Sequence, residues 1–228
     1  MSKTTLPFGR IDSITLDMAL PGVFAGQEKE GHVALSEVWM HSLTFSRPGR
    51  YMIEAESGAG KSSLCSFIYG NRSDYLGNIL FNDTNVRTLS IEQWCLVRLR
   101  HLALLPQEME LFAELSVMEN IQIKNRLTGA CTTVQIMDML ERLGVAEKAD
   151  QPAGRLSVGQ QQRVAVIRAL CQPFDFIILD EPVSHLDAAN NGRVAELVTE
   201  AAARNGGSII TTSVGNPLVL DEAKHIRL

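Results

Sequence analysis

At 228 residues, 45% of them apolar, the chain is long enough for one or two small domains with a proper core. Its formal net charge of −5 argues against a nucleic-acid partner, which would select a basic surface. Cys65, Cys95, Cys131 and Cys171 form no CxxC pair, so they read as reduced thiols rather than as disulfides or zinc ligands.

The N-terminal stretch "MSKTTLPFGRIDSITLDM" has no apolar core of signal-peptide length, and the longest apolar runs are too short to span a bilayer. The expectation is a cytosolic chain. The first motif in chain order is "AESGAGKSS", comprising Ala55, Glu56, Ser57, Gly58, Ala59, Gly60, Lys61, Ser62 and Ser63. A strand over Arg50–Ile53 precedes it, and a helix over "KSSLCSFIYG" follows, closing at Gly70. Strand, glycine turn and helix form the setting of a phosphate-binding loop. Gly58 and Gly60 let the backbone N–H groups approach a phosphate, and the helix N-terminus adds positive partial charge. Lys61 then reaches the β- and γ-phosphates, and the Ser62 hydroxyl ligates Mg²⁺. Ala55 stands where the pattern carries its first glycine, and its Cβ tightens the loop. The alternative is an ordinary strand-to-helix turn.

Further on, "LSVMENI" offers Ser116 and Glu119 as a capping box. "TTVQIMDMLERLGV" predicts a helix ending at Gly144, with Val134, Met137, Leu140 and Leu143 as its apolar face, read as core before binding surface. In "GRLSVGQQQRVAVIRALCQP", Ser157 caps a helix with Gln160 at the capping-box position, and Val164, Ile167 and Leu170 form its stripe. A plain amphipathic helix explains every residue except Gly159 and the glutamines. Those make sense if the helix N-terminus faces an anion, with Ser157 and the Gly159 N–H as donors. Leaving toward the next strand, that helix points its N-terminus away from its own phosphate loop, so it serves the phosphate of another chain.

The run "PFDFIILDE" predicts a strand buried on both faces, with Asp180 and Glu181 at its C-terminal tip, where open α/β sheets place ligands. Asp180 holds the Mg²⁺, directly or through water. Glu181 takes a proton from an attacking water or orients it. A solvated strand end is the bland alternative. The last helix, in "DAANNGRVAELVTEAAARNGG", stops at Gly206-Gly207.

Taken together, "AESGAGKS" (Walker A), "LLPQEMELF" (Q-loop), "LSVGQ" (signature), "FIILDE" (Walker B) and "SHLD" (D-loop) resemble, in order and spacing, the ATP-binding subunit of an ABC transporter. The flanking sequence is most similar to cassettes of lipoprotein-release, macrolide-export and cell-division type complexes. The resemblance implies an α/β P-loop NTPase with a RecA-like core and an antiparallel β subdomain over about 1–90 and 156–228, and a helical subdomain over about 91–155. It implies ATP with Mg²⁺, and two cassettes meeting head to tail, homodimerically, so that Ser157, Gly159 and Gln160 complete the opposite site. Asp187 communicates across that interface, and Gln107 senses the metal and the attacking water. The segment "EMELFAEL" would dock a separate transmembrane subunit, which places the chain on the inner face of the membrane, with no nucleic acid. Phe24 matches the family's adenine-stacking aromatic, and a core role is its equal alternative. Ser213 stands at the switch-histidine position and Val158 at a usual glycine. A serine donates a hydrogen bond to γ-phosphate but lacks imidazole's bulk and charge, so the expectation is a working but slow ATPase. The other readings are an ATP-binding regulatory cassette that hardly hydrolyses and, behind both, a soluble non-transport ATPase.

Overall fold

The computed structural model describes residues 4–27 and 31–228. In chain order the elements are β1 (Ser13–Pro21), α1 (Gly31–Leu35), β2 (Ser42–Ser46), β3 (Arg50–Glu54), α2 (Lys61–Tyr69), β4 (Tyr75–Phe81) and β5 (Thr84–Asn85). Then follow α3 (Ile91–Arg100), β6 (Leu102–Leu105), α4 (Val117–Thr128), α5 (Thr133–Arg142) and α6 (Val158–Leu170). The chain continues through β7 (Phe176–Asp180), α7 (Ala188–Asn205), β8 (Ser208–Ser213) and β9 (Lys224–Arg227).

The strands form two sheets. An antiparallel sheet runs β2-β1-β4-β5, and a parallel sheet runs β6-β7-β8-β3-β9. Every residue of β7 and β8 is buried, which is why both read as continuous apolar or small-residue runs rather than alternating ones. Successive residues then serve opposite faces. Ile53, Ile178 and Ile210 pack with α2 and the antiparallel sheet, whereas Met52, Leu179 and Ile209 pack with residues of α4 to α7. Two cores therefore sandwich one sheet, and the central strands β7, β8 and β3 run in parallel with their C-terminal tips at one edge.

Two expectations change. The segment 91–155, read as a helical insert, contains β6, which pairs in parallel with β7 from Leu102↔Phe176 to Leu105↔Leu179. A four-residue strand between helices carries too little periodicity to stand out in sequence. The face of α5 also differs: Ile136, Met139, Leu140 and Leu143 are buried, while Val134 is 78% exposed and Met137 only packs at the core's margin. Steps of three residues, as from 134 to 143, drift around a helix by about half a turn; steps of three and four alternate to hold one side.

The caps at Ser116, Ser157, Gly70 and Gly206 are where the sequence placed them: both serines accept from the N3 backbone while the N3 side chain returns the bond, and both glycines close their helices in the left-handed conformation. Thr132, which the sequence reading did not single out, caps α5 with the same reciprocal pair.

Candidate nucleotide site

The loop between β3 and α2 is built by glycine conformation and two clamps. Gly58 (φ 87°) and Gly60 (φ 99°) adopt backbone that side chains resist. Ala55 is not among the positive-φ residues, so its Cβ brings no left-handed backbone strain to the turn. The Trp39 indole N–H donates to the Ala59 carbonyl at 3.0 Å, and a Cβ on Gly60 would press on the same ring at 3.1 Å. Neither sequence spacing nor composition pointed to Trp39. Lys61 folds into the loop, donating to the Glu56 carbonyl at 2.9 Å and the Ala55 carbonyl at 3.3 Å. Burial lowers its pKa, while the charges of Glu181 and Asp180 act to raise it, so the ammonium sits close enough to both carboxylates to feel them.

Glu54↔Ser213 and Asp180↔Thr212 are register pairs, so the loop, the Walker B carboxylates and the switch position emerge side by side from adjacent strands. Asp180 is buried and accepts from the Thr212 hydroxyl at 2.6 Å. The same oxygen accepts the Glu181 N–H at 3.1 Å. Glu181 has φ 51°, a left-handed conformation costly for a non-glycine residue, and its carbonyl is held by the Gln162 amide at 3.0 Å. The turn after β7 is thus fixed from both sides, which aims the Glu181 side chain instead of letting the strand continue. Ser62 Oγ donates to Gln107 Oε1 at 3.3 Å. The fold thereby brings two proposed metal ligands, 45 residues apart, into contact.

Mg²⁺ prefers hard oxygen donors and fills its shell with water and substrate phosphate rather than a protein cage. A hydroxyl (Ser62), an amide oxygen (Gln107) and a carboxylate (Asp180) suit that preference. Among the described residues no group of three or more His, Cys, Asp or Glu side chains could hold a metal.

The signature end of α6 is capped as expected: Gln160 N–H donates to Ser157 Oγ at 3.3 Å, and Gln160 Oε1 accepts the Ser157 N–H at 2.9 Å. Val158 is 49% exposed. The adjoining glutamines do something other than line an anion site. Gln161 donates to the carbonyls of Ala153 and Leu156, while buried Gln162 donates to Glu181 O and Ser184 Oγ and accepts the His185 N–H. They tie the signature helix to the turns on either side of it. Gly159 lies so close to this D-loop that a Cβ would come within 3.0 Å of the His185 carbonyl. Asp187 caps α7 by accepting the Asn190 N–H at 2.8 Å.

Phe24 lies in a one-turn helix, Gly22–Phe24, half-buried against the same core as Trp39, and its ring is 3.4 Å from where a Cβ on Gly60 would stand. It is both a core neighbour and an aromatic beside the phosphate loop. Ser213 is 3% exposed and its hydroxyl finds no partner; its carbonyl accepts the Ala55 N–H at 3.4 Å. A buried hydroxyl left unpaired costs about 1–3 kcal/mol. The Q-loop turn holds Met109 and Glu110 at positive φ, tied by the Arg168 guanidinium to both carbonyls, and leaves Phe112 55% exposed.

A glycine loop with a folded-in lysine, two carboxylates on the neighbouring strand tip and a parallel sheet define a P-loop nucleoside-triphosphate-binding protein. The comparisons narrow this. A sequence profile described as ABC transporter matches residues 40–184. Over 168 residues the chain is 33% identical to the ABC transporter ATP-binding protein YtrE of Bacillus subtilis (strain 168), covering 72% of this chain and 73% of that one. It is 30% identical over 175 residues to the lipoprotein-releasing system ATP-binding protein LolD of Shewanella denitrificans, covering 75% of each. The dimeric structure of MJ0796, a bacterial ABC transporter cassette, superimposes with a TM-score of 0.74 over 94% of each chain at 20% identity. The chain belongs to the ABC transporter family: it is an ATP-binding cassette, the ATPase subunit of a transport system.

Proposed function

We propose that two copies of this chain close head to tail around ATP, hydrolyse it slowly, and so drive a separate membrane subunit. The observation that carries this is the convergence of Lys61, Ser62, Gln107, Asp180 and Glu181 at one sheet edge, together with a signature end whose cap is exposed. In the closed pair, Lys61 and the N–H groups of residues 57–63 hold the phosphates from one side. Ser157, whose hydroxyl accepts inside its own helix and still has a proton to donate, and the Gly159 N–H hold them from the other. Ser62, Gln107 and Asp180 would hold Mg²⁺, which neutralises developing phosphate charge. Glu181 orients and deprotonates the attacking water, and Ser213 stands beside the γ-phosphate. When γ-phosphate leaves, the charge that binds donors of both copies is lost and the pair opens.

Among the described residues no helix is long and apolar enough to cross a membrane. The membrane component is a second polypeptide, as befits relatives named as ATP-binding proteins of import and release systems, docked on the 108–115 segment around exposed Phe112, with the cassette on the cytoplasmic face. Relatives named for phosphonate import and for lipoprotein release are both ATP-binding proteins, so the likeness points to ATP use rather than to one cargo. The regulatory reading, binding without turnover, draws on one observation, the buried unpaired hydroxyl at position 213.

Glu181→Gln separates the two readings. With ATP it should accumulate as a stable dimer on size-exclusion chromatography, while the parent chain releases phosphate and stays largely monomeric. A parent that releases no phosphate with Mg²⁺, even beside its membrane subunit, favours the regulatory reading; a variant that never dimerises defeats the shared-nucleotide pair.

A further inference from the structure

The four cysteines differ in their surroundings. Cys65 is sealed in the core, where burial pushes its thiol up, and Cys95 stands at the surface. Cys131 and Cys171, remote in sequence, share one hydrogen bond and belong to the same apolar cluster. Each is placed by its own anchor. Cys131 lies between the C-cap of α4 and the N-cap of α5, and Asn125 clamps it, accepting its N–H and donating to its carbonyl, both at 2.9 Å. Cys171 is the C-cap of α6, its N–H donating to the Arg168 carbonyl at 3.3 Å. The meeting of the two thiols is therefore fixed by helix ends rather than by a loose loop.

The proton between them is unevenly held. The bond from Cys171 brings the pKa of Cys131 down from 9.0 to about 7, against the effect of burial and with help from the Arg204 guanidinium. The same bond, together with burial, pushes Cys171 up. Exposure agrees with this division, because Cys131 keeps 5% of its surface and Cys171 none. Cys131 carries the thiolate, and Cys171 is the S–H that donates to it. A cavity of about 220 Å³ between α5 and α7 opens on that side. Its walls include Arg204 and Gln135, whose Oε1 accepts the N–H of Thr132, the residue next to Cys131, at 2.8 Å. The way in suits a reagent of about water's size.

We propose that Cys131 and Cys171 form a peroxide-reactive dithiol, in which Cys131 is oxidised first and Cys171 closes the disulfide. The Cys131 thiolate attacks one oxygen of hydrogen peroxide. The O–O bond breaks, the departing hydroxide takes a proton from solvent to become water, and Cys131 is left as a sulfenic acid. The Cys171 sulfur then attacks the sulfenic sulfur. The S–O bond breaks as the S–S bond forms, and the hydroxide leaves with the Cys171 proton as a second water. Two thiols lose two electrons and one peroxide gains them. The bond closes the stretch 132–170, which holds α5 and the signature end Ser157–Gln160, into a covalent loop. It restricts the unfolded chain and braces the α4–α5 corner against the foot of the signature helix. It also spares Cys131 from deeper, irreversible oxidation.

Mass spectrometry on the folded chain tests this. Cys95→Ser removes the exposed thiol that could pair between copies. Treated with hydrogen peroxide, that chain should lose two hydrogen atoms in intact mass and yield a linked Cys131–Cys171 peptide pair on digestion without reductant. Its urea midpoint should rise, and dithiothreitol should reverse all three changes. Adding Cys171→Ser, which keeps a hydrogen-bond donor, should trap Cys131 as a sulfenic acid that dimedone labels. Adding Cys131→Ser should leave Cys171 unlabelled. Oxidation of Cys131 should outpace that of Cys65, which burial holds protonated, by about tenfold or more. Peroxide that leaves both thiols free, oxidises Cys65 as fast as Cys131, or joins Cys131 to another copy overturns the proposal. The linked-peptide measurement leaves both buried cysteines in place, so it decides the matter even where a serine variant misfolds.

Discussion

The Thr212 hydroxyl donates to Asp180 at 2.6 Å while accepting the Glu181 N–H at 3.1 Å, so one oxygen sets both Walker B carboxylates. Its donated bond keeps Asp180 in one rotamer inside a buried site, and its accepted bond holds Glu181 in the left-handed conformation that turns the chain away from β7. Thr212→Val keeps the volume but leaves a buried carboxylate oxygen and an N–H without partners, at a cost of about 1–3 kcal/mol. Turnover should fall about tenfold or more, whereas Thr212→Ser should retain most of it. Phosphate release by the two variants is the measurement, and equal rates would show that the hydroxyl does not position the carboxylates.

Trp39 offers a second handle, on nucleotide affinity rather than chemistry. Its indole N–H is the donor to the buried Ala59 carbonyl inside the phosphate loop. Trp39→Phe keeps an aromatic against Gly60 but orphans that carbonyl, freeing the loop to sample conformations that cannot cradle phosphate. Loss of about 1 kcal/mol of hydrogen bonding corresponds to roughly fivefold weaker ATP binding. Titration with a fluorescent ATP analogue should show this weakening; unchanged affinity would mean that Gly58 and Gly60 alone shape the loop.

Gly77 governs the antiparallel sheet. It sits at φ 75° opposite the irregularity in β1, where the register shifts between Asp17 and Leu20 and Met18 takes φ 51°. A Cβ on Gly77 would fall 2.2 Å from the Met18 carbonyl, a clash with backbone that no side-chain rotation relieves. Gly77→Ala should destabilise the protein by about 3 kcal/mol or more through positive-φ strain and the clash together. Gly129→Ala is the control. Its φ of 64° carries the same conformational penalty, but nothing lies within 4 Å of its added Cβ. The difference between the two in urea midpoints isolates the clash, and equal midpoints would show that β1 yields.

What the sequence made legible was local. Gly58, Gly60, the caps at Ser116 and Ser157, and the uniform burial of 176–180 each depend on residues a few positions apart, and each is where the pattern placed it. The contacts that finish the site span distance: Trp39 to Ala59, Gln162 to Glu181, Thr212 to Asp180 and Ser62 to Gln107. No periodicity encodes such pairs, because each joins residues that become neighbours only when the parallel sheet assembles. Gln161 and Gln162 illustrate the cost: their run after Gly159 suits an anion site, yet their amides answer carbonyls inside the fold. Gly159 itself has a reason within the chain, the close approach of His185 O, beside any role toward phosphate.

Asp175 lies at the start of β7, at the sheet edge away from the nucleotide, and ties the N-terminal segment to it. Its carboxylate accepts from Arg10 Nε at 2.8 Å and from the Ile11 N–H at 2.8 Å, and lies 2.6 Å from His101 Nδ1. Burial pushes the carboxyl up, but hydrogen bonds from His101, Ile11 and Arg10 together bring it below its ordinary value of 3.8. A folded-state pKa below the unfolded one means that folding favours the anion. The contribution is complete above the unfolded value and disappears as pH falls through the lower folded value. Asp175→Asn keeps the shape and removes the charge, so at neutral pH it should cost about 2–4 kcal/mol, the scale of a buried charged hydrogen-bond cluster. The gap in stability between parent and variant should hold steady from neutral pH down to the ordinary carboxyl range and then close in more acid solution. Urea unfolding of both chains across that range measures it. A gap that stays constant in acid would mean that shape, not charge, is what Asp175 contributes.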